Sequence, residues 1–298
     1  MNKLEYLDKI LPPLTTPFKN DEVSTKSLSD NIKKYNKFDL GGYVALGSNG
    51  ESVFLTEAEK LRIIGTVREQ ALPDKIVIAG TGSDSIKSTI SLTNEATKTG
   101  ADYALIITPS FFKNEMKKDV FTRYYTEVAD NVNIPVIIYN VPKFTNVNIE
   151  VEAVAELSQH DNIVGIKNSS ENISQTEQFV SNSVKDFKVL VGTASVLFPG
   201  LMVGANGGIL ALANIAPNEC ISILDLVRKK NFNDAKELQD KMIPVNTAIT
   251  SKFGVAGLKA AMDLCGYTGG LPRKPLSALN PIQLEDLKLT LQQADLIG

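Results

Sequence analysis

The chain has 298 residues, 43% hydrophobic and 22% charged, a composition that excludes a disordered polymer and suits a globular fold of one large or two ordinary domains. Its net charge is −3, and its 31 Lys and Arg residues form no stripe able to follow a phosphate backbone, which argues against nucleic acid as a partner. Cys220 and Cys265 lie far apart without CxxC spacing, against a disulfide framework or zinc site and for a reducing cytoplasm, while no apolar run reaches the roughly 18 residues of a membrane span and MNKLEYLDKI lacks a signal pattern, so neither membrane insertion nor a cleaved presequence is expected.

In chain order, PPLTTPF near Pro12 is the expected first strand. It is followed by YVAL from Tyr43, IVIAG from Ile76, YALIIT from Tyr103, PVIIY from Pro135, IVGIK from Ile163, VLVG from Val189 and GGILAL from Gly207. These runs are almost continuously apolar rather than alternating, as strands buried on both faces of a parallel sheet are. Between them lie amphipathic helical patterns. Leu61, Ile64 and Val67 share one face, as do Val120, Phe121, Tyr124, Tyr125 and Val128. Eight βα units over residues 1–230 predict a closed (β/α)8 TIM barrel, with an open doubly wound sheet as the structural alternative. From Asn231 to Gly298 only helical patterns occur, including NDAKELQDKMI and VAGLKAAMDL, so residues 231–298 are expected as a C-terminal helical extension packed on the barrel or a neighbouring subunit.

His160 is the only histidine. A metal site built on several imidazoles is therefore excluded, as are Ser-His-Asp and Cys-His nucleophile pairs, and no metal or cofactor is expected. Catalytic groups of such barrels sit where strands end. Three strand ends carry reactive side chains: Gly47-Ser48-Asn49-Gly50-Glu51-Ser52, Tyr139-Asn140-Val141-Pro142 and Gly165-Ile166-Lys167-Asn168-Ser169-Ser170. Lys167 terminates IVGI at the barrel mouth, where an uncharged amine can attack a ketone and the resulting imine withdraws electrons from the adjacent carbon. Its bland reading is a snorkelling or salt-bridged strand-end lysine. Tyr139, one βα unit upstream, is either a proton carrier or a packing tyrosine. GSNGES offers backbone N–H groups and hydroxyls to an anion before a helix beginning near Thr56. Gly80-Thr81-Gly82-Ser83-Asp84-Ser85 is read as a strand-to-helix turn capped by Ser83 or Asp84. Neither a Walker motif nor a dinucleotide fingerprint is present.

With GSNGE at Gly47, YNVP at Tyr139 and GIK at Gly165 in this order, the chain resembles, over essentially its whole length, the dihydrodipicolinate synthase and N-acetylneuraminate lyase superfamily. That resemblance implies a TIM barrel with C-terminal helices, usually assembled as a homotetramer (dimer of dimers). It also implies a Schiff base with pyruvate or a longer 2-oxo acid: Lys167 as the imine lysine, Tyr139 as proton shuttle, Ser48 and Asn49 around the substrate carboxylate, and Ile209 offering its backbone carbonyl. Within that superfamily the sequence looks like the 4-hydroxy-2-oxoglutarate aldolases, whose pattern it resembles through ALAN at Ala211, Phe253-Gly254 with Gly257-Leu258-Lys259, and Gly266-Tyr267 with Gly269-Gly270.

Two positions depart from the superfamily pattern. Phe144 stands where dihydrodipicolinate synthases carry an arginine for the carboxylate of aspartate semialdehyde, and a phenyl ring cannot replace a bidentate guanidinium. Ser169 instead resembles the aldolase serine that contacts the substrate's 4-hydroxyl. Phe111 stands where the pattern has a tyrosine reaching into the neighbouring subunit's site, which interrupts the expected proton relay.

The resulting expectation is a class I lyase that cleaves a 4-hydroxy-2-oxo acid, foremost 4-hydroxy-2-oxoglutarate, to pyruvate and glyoxylate. The alternatives are a 2-keto-3-deoxy sugar acid aldolase, a dihydrodipicolinate synthase, and a 2-oxo acid sensor without turnover.

Overall fold

The computed structural model describes residues 3–298. Its parallel strands are β1 (Ile10–Leu11), β2 (Gly42–Ala45), β3 (Ile76–Gly80), β4 (Tyr103–Ile107), β5 (Val136–Asn140), β6 (Ile163–Asn168), β7 (Lys188–Val191) and β8 (Gly207–Ile209). Each strand from β2 to β8 pairs with the next in chain order, and β8 returns to β1. The ring closes between β1 and β2. There Pro13 bridges Val44 in parallel, Val44 N donates to Pro12 O at 3.1 Å, and Leu14 N donates to Val44 O at 2.9 Å. The fold is a TIM barrel.

The first strand lies just ahead of its expected position. Pro12 and Pro13 have no N–H to give a ladder, so regular pairing ends at Leu11. The end of PPLTTPF turns away, and Phe18–Lys19 pairs antiparallel with Glu22–Val23 in a separate hairpin.

The uninterrupted apolar character of the strands follows from two packed faces. Leu11, Val44, Ile78, Leu105, Ile137, Leu190 and Ile209 fill one cluster along the barrel interior. Their strand neighbours Tyr43, Val77, Ala104, Val136, Ile138 and Val189 join the larger cluster beneath the helices. Full burial of each large aliphatic side chain contributes about 1.5–3 kcal/mol, so a polar residue without a partner on either face carries a cost in stability.

The amphipathic helices follow their sequence patterns. Glu57–Gln70 buries Ile64 and Val67 with Leu61 at its margin, and begins at a Thr56–Glu59 capping box. Lys118–Asp130 buries Phe121, Tyr124, Tyr125 and Val128. The helix after β3 starts at Ile86 with Ser85 as its cap, not Ser83 or Asp84. Asp84 has another partner: its Oδ1 accepts the backbone N–H groups of Ser110 (2.6 Å) and Phe111 (2.8 Å) in the loop after β4.

Beyond the barrel, helices Phe232–Thr247, Gly254–Leu264 and Pro281–Gln293 follow one another, with a π-helical turn at Ala248–Lys252. This segment bonds the barrel at several points. Gln239 Nε2 donates to Ala194 O at 2.7 Å, Asn246 Nδ2 to Ser195 Oγ at 2.8 Å, and Lys143 Nζ, after β5, to Thr250 O at 3.0 Å. No helix of the described residues is long and apolar enough to cross a membrane.

Candidate active site

Side chains alternate along a strand, so β5 sends Ile137 and Tyr139 into the barrel while Ile138 and Asn140 face outward. The register pairs Tyr139 with Lys167 and Asn140 with Asn168, and Lys167 with Leu190. Lys167 thus stands in the lumen beside Tyr139, at the C-terminal end of β6. Its Nζ lies 4.1 Å from the centroid of the Tyr139 ring. Lys167 is 4% exposed and Tyr139 6%.

Among the described residues three lysines are buried, Lys75, Lys167 and Lys259, and a buried ammonium normally requires partners. Lys75 Nζ donates to Leu40 O at 2.8 Å. Lys259 Nζ meets Glu51 Oε1 at 2.6 Å. Lys167 Nζ has neither an ion pair nor a hydrogen bond among the described residues and rests only against the aromatic face. The salt-bridged reading of Lys167 therefore fails, and the snorkelling one does not fit a side chain sealed to 4%.

The Tyr139 hydroxyl reaches the turn after β2, where Ser48 Oγ lies 3.2 Å from Tyr139 Oη. Ser48–Gly50 forms a single 3-10 turn flanked by left-handed Leu46 (φ 63°) and Glu51 (φ 55°). Its internal bonds run from Gly50 N to Gly47 O and from Glu51 N to Ser48 O. The N–H groups of Ser48 and Asn49 therefore stand outside this ladder, the arrangement that suits a carboxylate. From behind, Thr16 Oγ1 donates to Gly50 O at 2.7 Å.

On the outward face of the same strand ends, Asn140 Nδ2 donates to Asn168 Oδ1 at 3.0 Å and to Asn148 Oδ1 at 2.7 Å. Asn168 Nδ2 continues to Thr176 Oγ1 at 3.2 Å. The buried Asn140–Asn168 link ties β5 to β6 directly behind Tyr139 and Lys167. Nothing in the spacing of Asn140 and Asn168 separates this bracing role from a substrate contact; only strand alternation counted from Tyr139 and Lys167 would have turned them outward.

The remaining anticipated residues distribute around this centre. Ser169 follows β6 and its Oγ points at Gly192 O, 3.4 Å away. Ile209 is the last residue of β8, fully buried and paired with Leu11. Phe144 lies in the one-turn helix Pro142–Thr145 and is 59% exposed, with Lys143 Nζ 5.8 Å from its ring. Phe111 is 79% exposed and meets Phe112 edge-on at 5.1 Å, so it joins none of these groups within its own chain. His160 is structural: Nε2 pairs with Asp130 Oδ1 at 3.0 Å and Nδ1 accepts from Asn162 N.

Comparison with known proteins identifies the family of this barrel. The model of the dihydrodipicolinate synthetase family matches residues 6–294. A 4-hydroxy-tetrahydrodipicolinate synthase of Methanococcoides burtonii is 34% identical over 282 residues, covering 94% of each chain. Among solved structures, the 4-hydroxy-tetrahydrodipicolinate synthase of Methylacidiphilum fumariolicum SolV superposes with a TM-score of 0.91 at 28% identity, covering 96% of this chain and 95% of that one. YagE, a prophage protein of the same family from E. coli K12 solved in complex with pyruvate, gives 0.90 at 28% identity, covering 97% and 98%. The chain belongs to the dihydrodipicolinate synthetase family, whose members are pyruvate-dependent lyases and synthases.

Proposed function

We propose that the protein is a Schiff-base aldolase that cleaves a 4-hydroxy-2-oxo acid, foremost 4-hydroxy-2-oxoglutarate, to pyruvate and glyoxylate. The observation that carries this reading is the unpaired buried amine of Lys167 against Tyr139. The amine adds to C2 of the substrate and water leaves, giving an iminium. The C3–C4 bond then breaks as the 4-hydroxyl loses its proton, the aldehyde departs, and the bonding electrons are held as an enamine. Protonation at C3 and hydrolysis release pyruvate and restore Lys167. The iminium is itself the electron sink, so the bond-breaking step needs no further electron acceptor, only a proton carrier to take the 4-hydroxyl proton.

Tyr139 carries protons during carbinolamine formation and breakdown, with Ser48 Oγ as its hydrogen-bonded neighbour. Ser48 and Asn49 bind the 1-carboxylate, Ile209 offers its backbone carbonyl, and Ser169 meets the 4-hydroxyl. Phe144 lowers the weight of aspartate semialdehyde only, because a phenyl stands where the resemblance expects the arginine that grips its carboxylate; the carboxylate of glyoxylate needs a partner elsewhere, and a 3-deoxy-2-oxo sugar acid needs none for its aldehyde half. A second reading, condensation of pyruvate with aspartate semialdehyde, is favoured by the names of relatives 32–34% identical to this chain. A homotetramer, with Phe111 turned towards a neighbouring subunit, is the assembly we propose, supported by the exposure of the Phe111–Phe112 pair.

Incubation with pyruvate and borohydride, followed by peptide mass analysis, is expected to place a reduced adduct on Lys167 and none on Lys167→Ala. An unmodified Lys167 peptide from the wild-type protein refutes the mechanism. Pyruvate release from 4-hydroxy-2-oxoglutarate, 3-deoxy-2-oxo sugar acids and N-acetylneuraminate, set beside semialdehyde condensation, ranks the substrates. Condensation at an equal or greater rate reverses the order given above.

A further inference from the structure

The GLK motif of the C-terminal extension puts a lysine in a helix whose neighbouring positions are apolar. Leu258, Ala261 and Met262 of Gly254–Leu264 are buried, and so is Lys259, with a side-chain exposure of 0%. Its partner Glu51, 1% exposed, is the residue that ends the Ser48–Gly50 turn. Both carboxylate oxygens of Glu51 are held by the extension: Oε1 by Lys259 Nζ at 2.6 Å, Oε2 by the backbone N–H of Arg273 at 2.7 Å. Lys259 Nζ also donates to Leu271 O at 2.9 Å and lies 4.5 Å from the centroid of Phe18. Arg273 stacks on the same ring at 4.7 Å and grips Glu59 Oε1 at 2.7 Å and Phe54 O at 3.0 Å. Burial pulls the Lys259 pKa down, against the opposing pull of Glu51.

A sealed ion pair is a poor means of adding stability, since desolvation offsets most of the Coulombic gain and well-packed neutral residues often serve as well. It is a good means of fixing geometry. Glu51 sits at φ 55° and ψ 34°, a left-handed conformation that side chains other than glycine rarely adopt, and its two oxygens are the points by which the turn is held there. The opposite end of the same turn carries Ser48.

We propose that Lys259 and Glu51 are positioning residues for the carboxylate subsite, the pair tying the C-terminal extension to the turn after β2 and setting the 3.2 Å approach of Ser48 to Tyr139. The extension is thereby a working part of the active site although, among the described residues, none of it is hydrogen-bonded or ion-paired to Lys167. This inference rests on the Schiff-base reading above.

The test uses the full chain and pyruvate as probe. Wild-type protein is first trapped with borohydride; no adduct on Lys167 refutes the Schiff-base reading itself and leaves the pair without a subsite to position. Given an adduct, the trapping rate is measured against pyruvate concentration for Lys259→Met, Glu51→Gln and the double variant, alongside thermal unfolding. The double variant buries no unpaired charge, so it is expected to fold. Its half-saturating pyruvate concentration should rise about tenfold or more, with the saturating rate changed by less than about threefold. A merely structural pair would lower the melting temperature and leave half-saturation where it was, and that result overturns the proposal. Should the double variant not fold, Glu51→Asp keeps the charge and shortens its arm by one methylene. A raised half-saturation then supports the proposal, and an unchanged one overturns it.

Discussion

Tyr139→Phe removes a single oxygen from the centre of the site. The ring remains, and with it the 4.1 Å contact to Lys167 Nζ and the packing against Ile137 and Leu105 inside the barrel. What is lost structurally is one hydrogen bond, to Ser48 Oγ at 3.2 Å, worth about 0.5–1.5 kcal/mol. For a chain of this size that lowers the melting temperature by about 1–2 °C. The catalytic loss is of another order. A positioned proton carrier contributes about 10²- to 10⁴-fold, equivalent to about 3–5 kcal/mol of barrier, because Tyr139 Oη is the titratable group beside the amine in a centre that contains no imidazole. Pyruvate release, followed by its reduction with a coupled dehydrogenase, should fall at least about a hundredfold at saturating substrate. Borohydride trapping on Lys167 should persist at a lower rate, since the amine is intact. A kcat within about threefold of wild type, with the variant folded, would show that proton traffic bypasses Tyr139 and would refute the role given to it.

Three further outcomes test other parts of the site. Phe144→Arg should raise kcat/KM for aspartate semialdehyde condensation by about tenfold or more, by supplying a bidentate carboxylate partner; an unchanged ratio of condensation to cleavage removes Phe144 as a basis for ranking the substrates. Arg273 holds the Glu59 carboxyl down from its ordinary 4.5 to about 2. A depressed carboxylate contributes stability that is complete above its unfolded pKa and is lost as pH falls through the folded one. Wild type should therefore lose melting temperature more steeply than Glu59→Gln between about pH 4.5 and pH 2, and parallel curves would contradict this. Size-exclusion chromatography with light scattering is expected to give a tetramer, which Phe111→Asp with Phe112→Asp should dissociate; a wild-type monomer would place the aromatic pair outside any interface.

The strands were readable because burial on both faces leaves a mark that survives in sequence, a short apolar run closed by turn residues. Lys167 and Tyr139 were readable for a related reason: each interrupts such a run at the end where a barrel carries its chemistry. The first strand was expected at PPLTTPF, but regular pairing falls two residues earlier, because proline cannot donate to a ladder and the partners on β8 that fix Ile10 and Leu11 lie about 200 positions away. Asp84 resembled a helix cap from its neighbours alone, and its true partners, the amides of Ser110 and Phe111, lie 26 and 27 positions away. The Lys259–Glu51 pair spans 208 positions. Locally the sequence points elsewhere, since Asp263 one helical turn after Lys259 offers a nearer counter-charge. Phe111 is harder still, because the surface it is proposed to meet belongs to another chain.

The seam between β1 and β2 has a dynamic consequence. Its regular ladder is cut short by Pro12 and Pro13 and completed by a bridge at Pro13 and the amides of Gly41, Val44 and Leu14. Local opening draws on the least densely bonded joints of a structure, so the amides of Gly41 and Val44 should exchange with solvent sooner than those at the centre of β5 and β6. The chain leaving this seam runs through Leu14 to Thr16, whose hydroxyl supports Gly50. Opening of the seam would therefore release the Thr16 support of the turn first, on the side of the cylinder opposite Lys167, while Glu51, held by Lys259 and Arg273, keeps the far end of the turn in place.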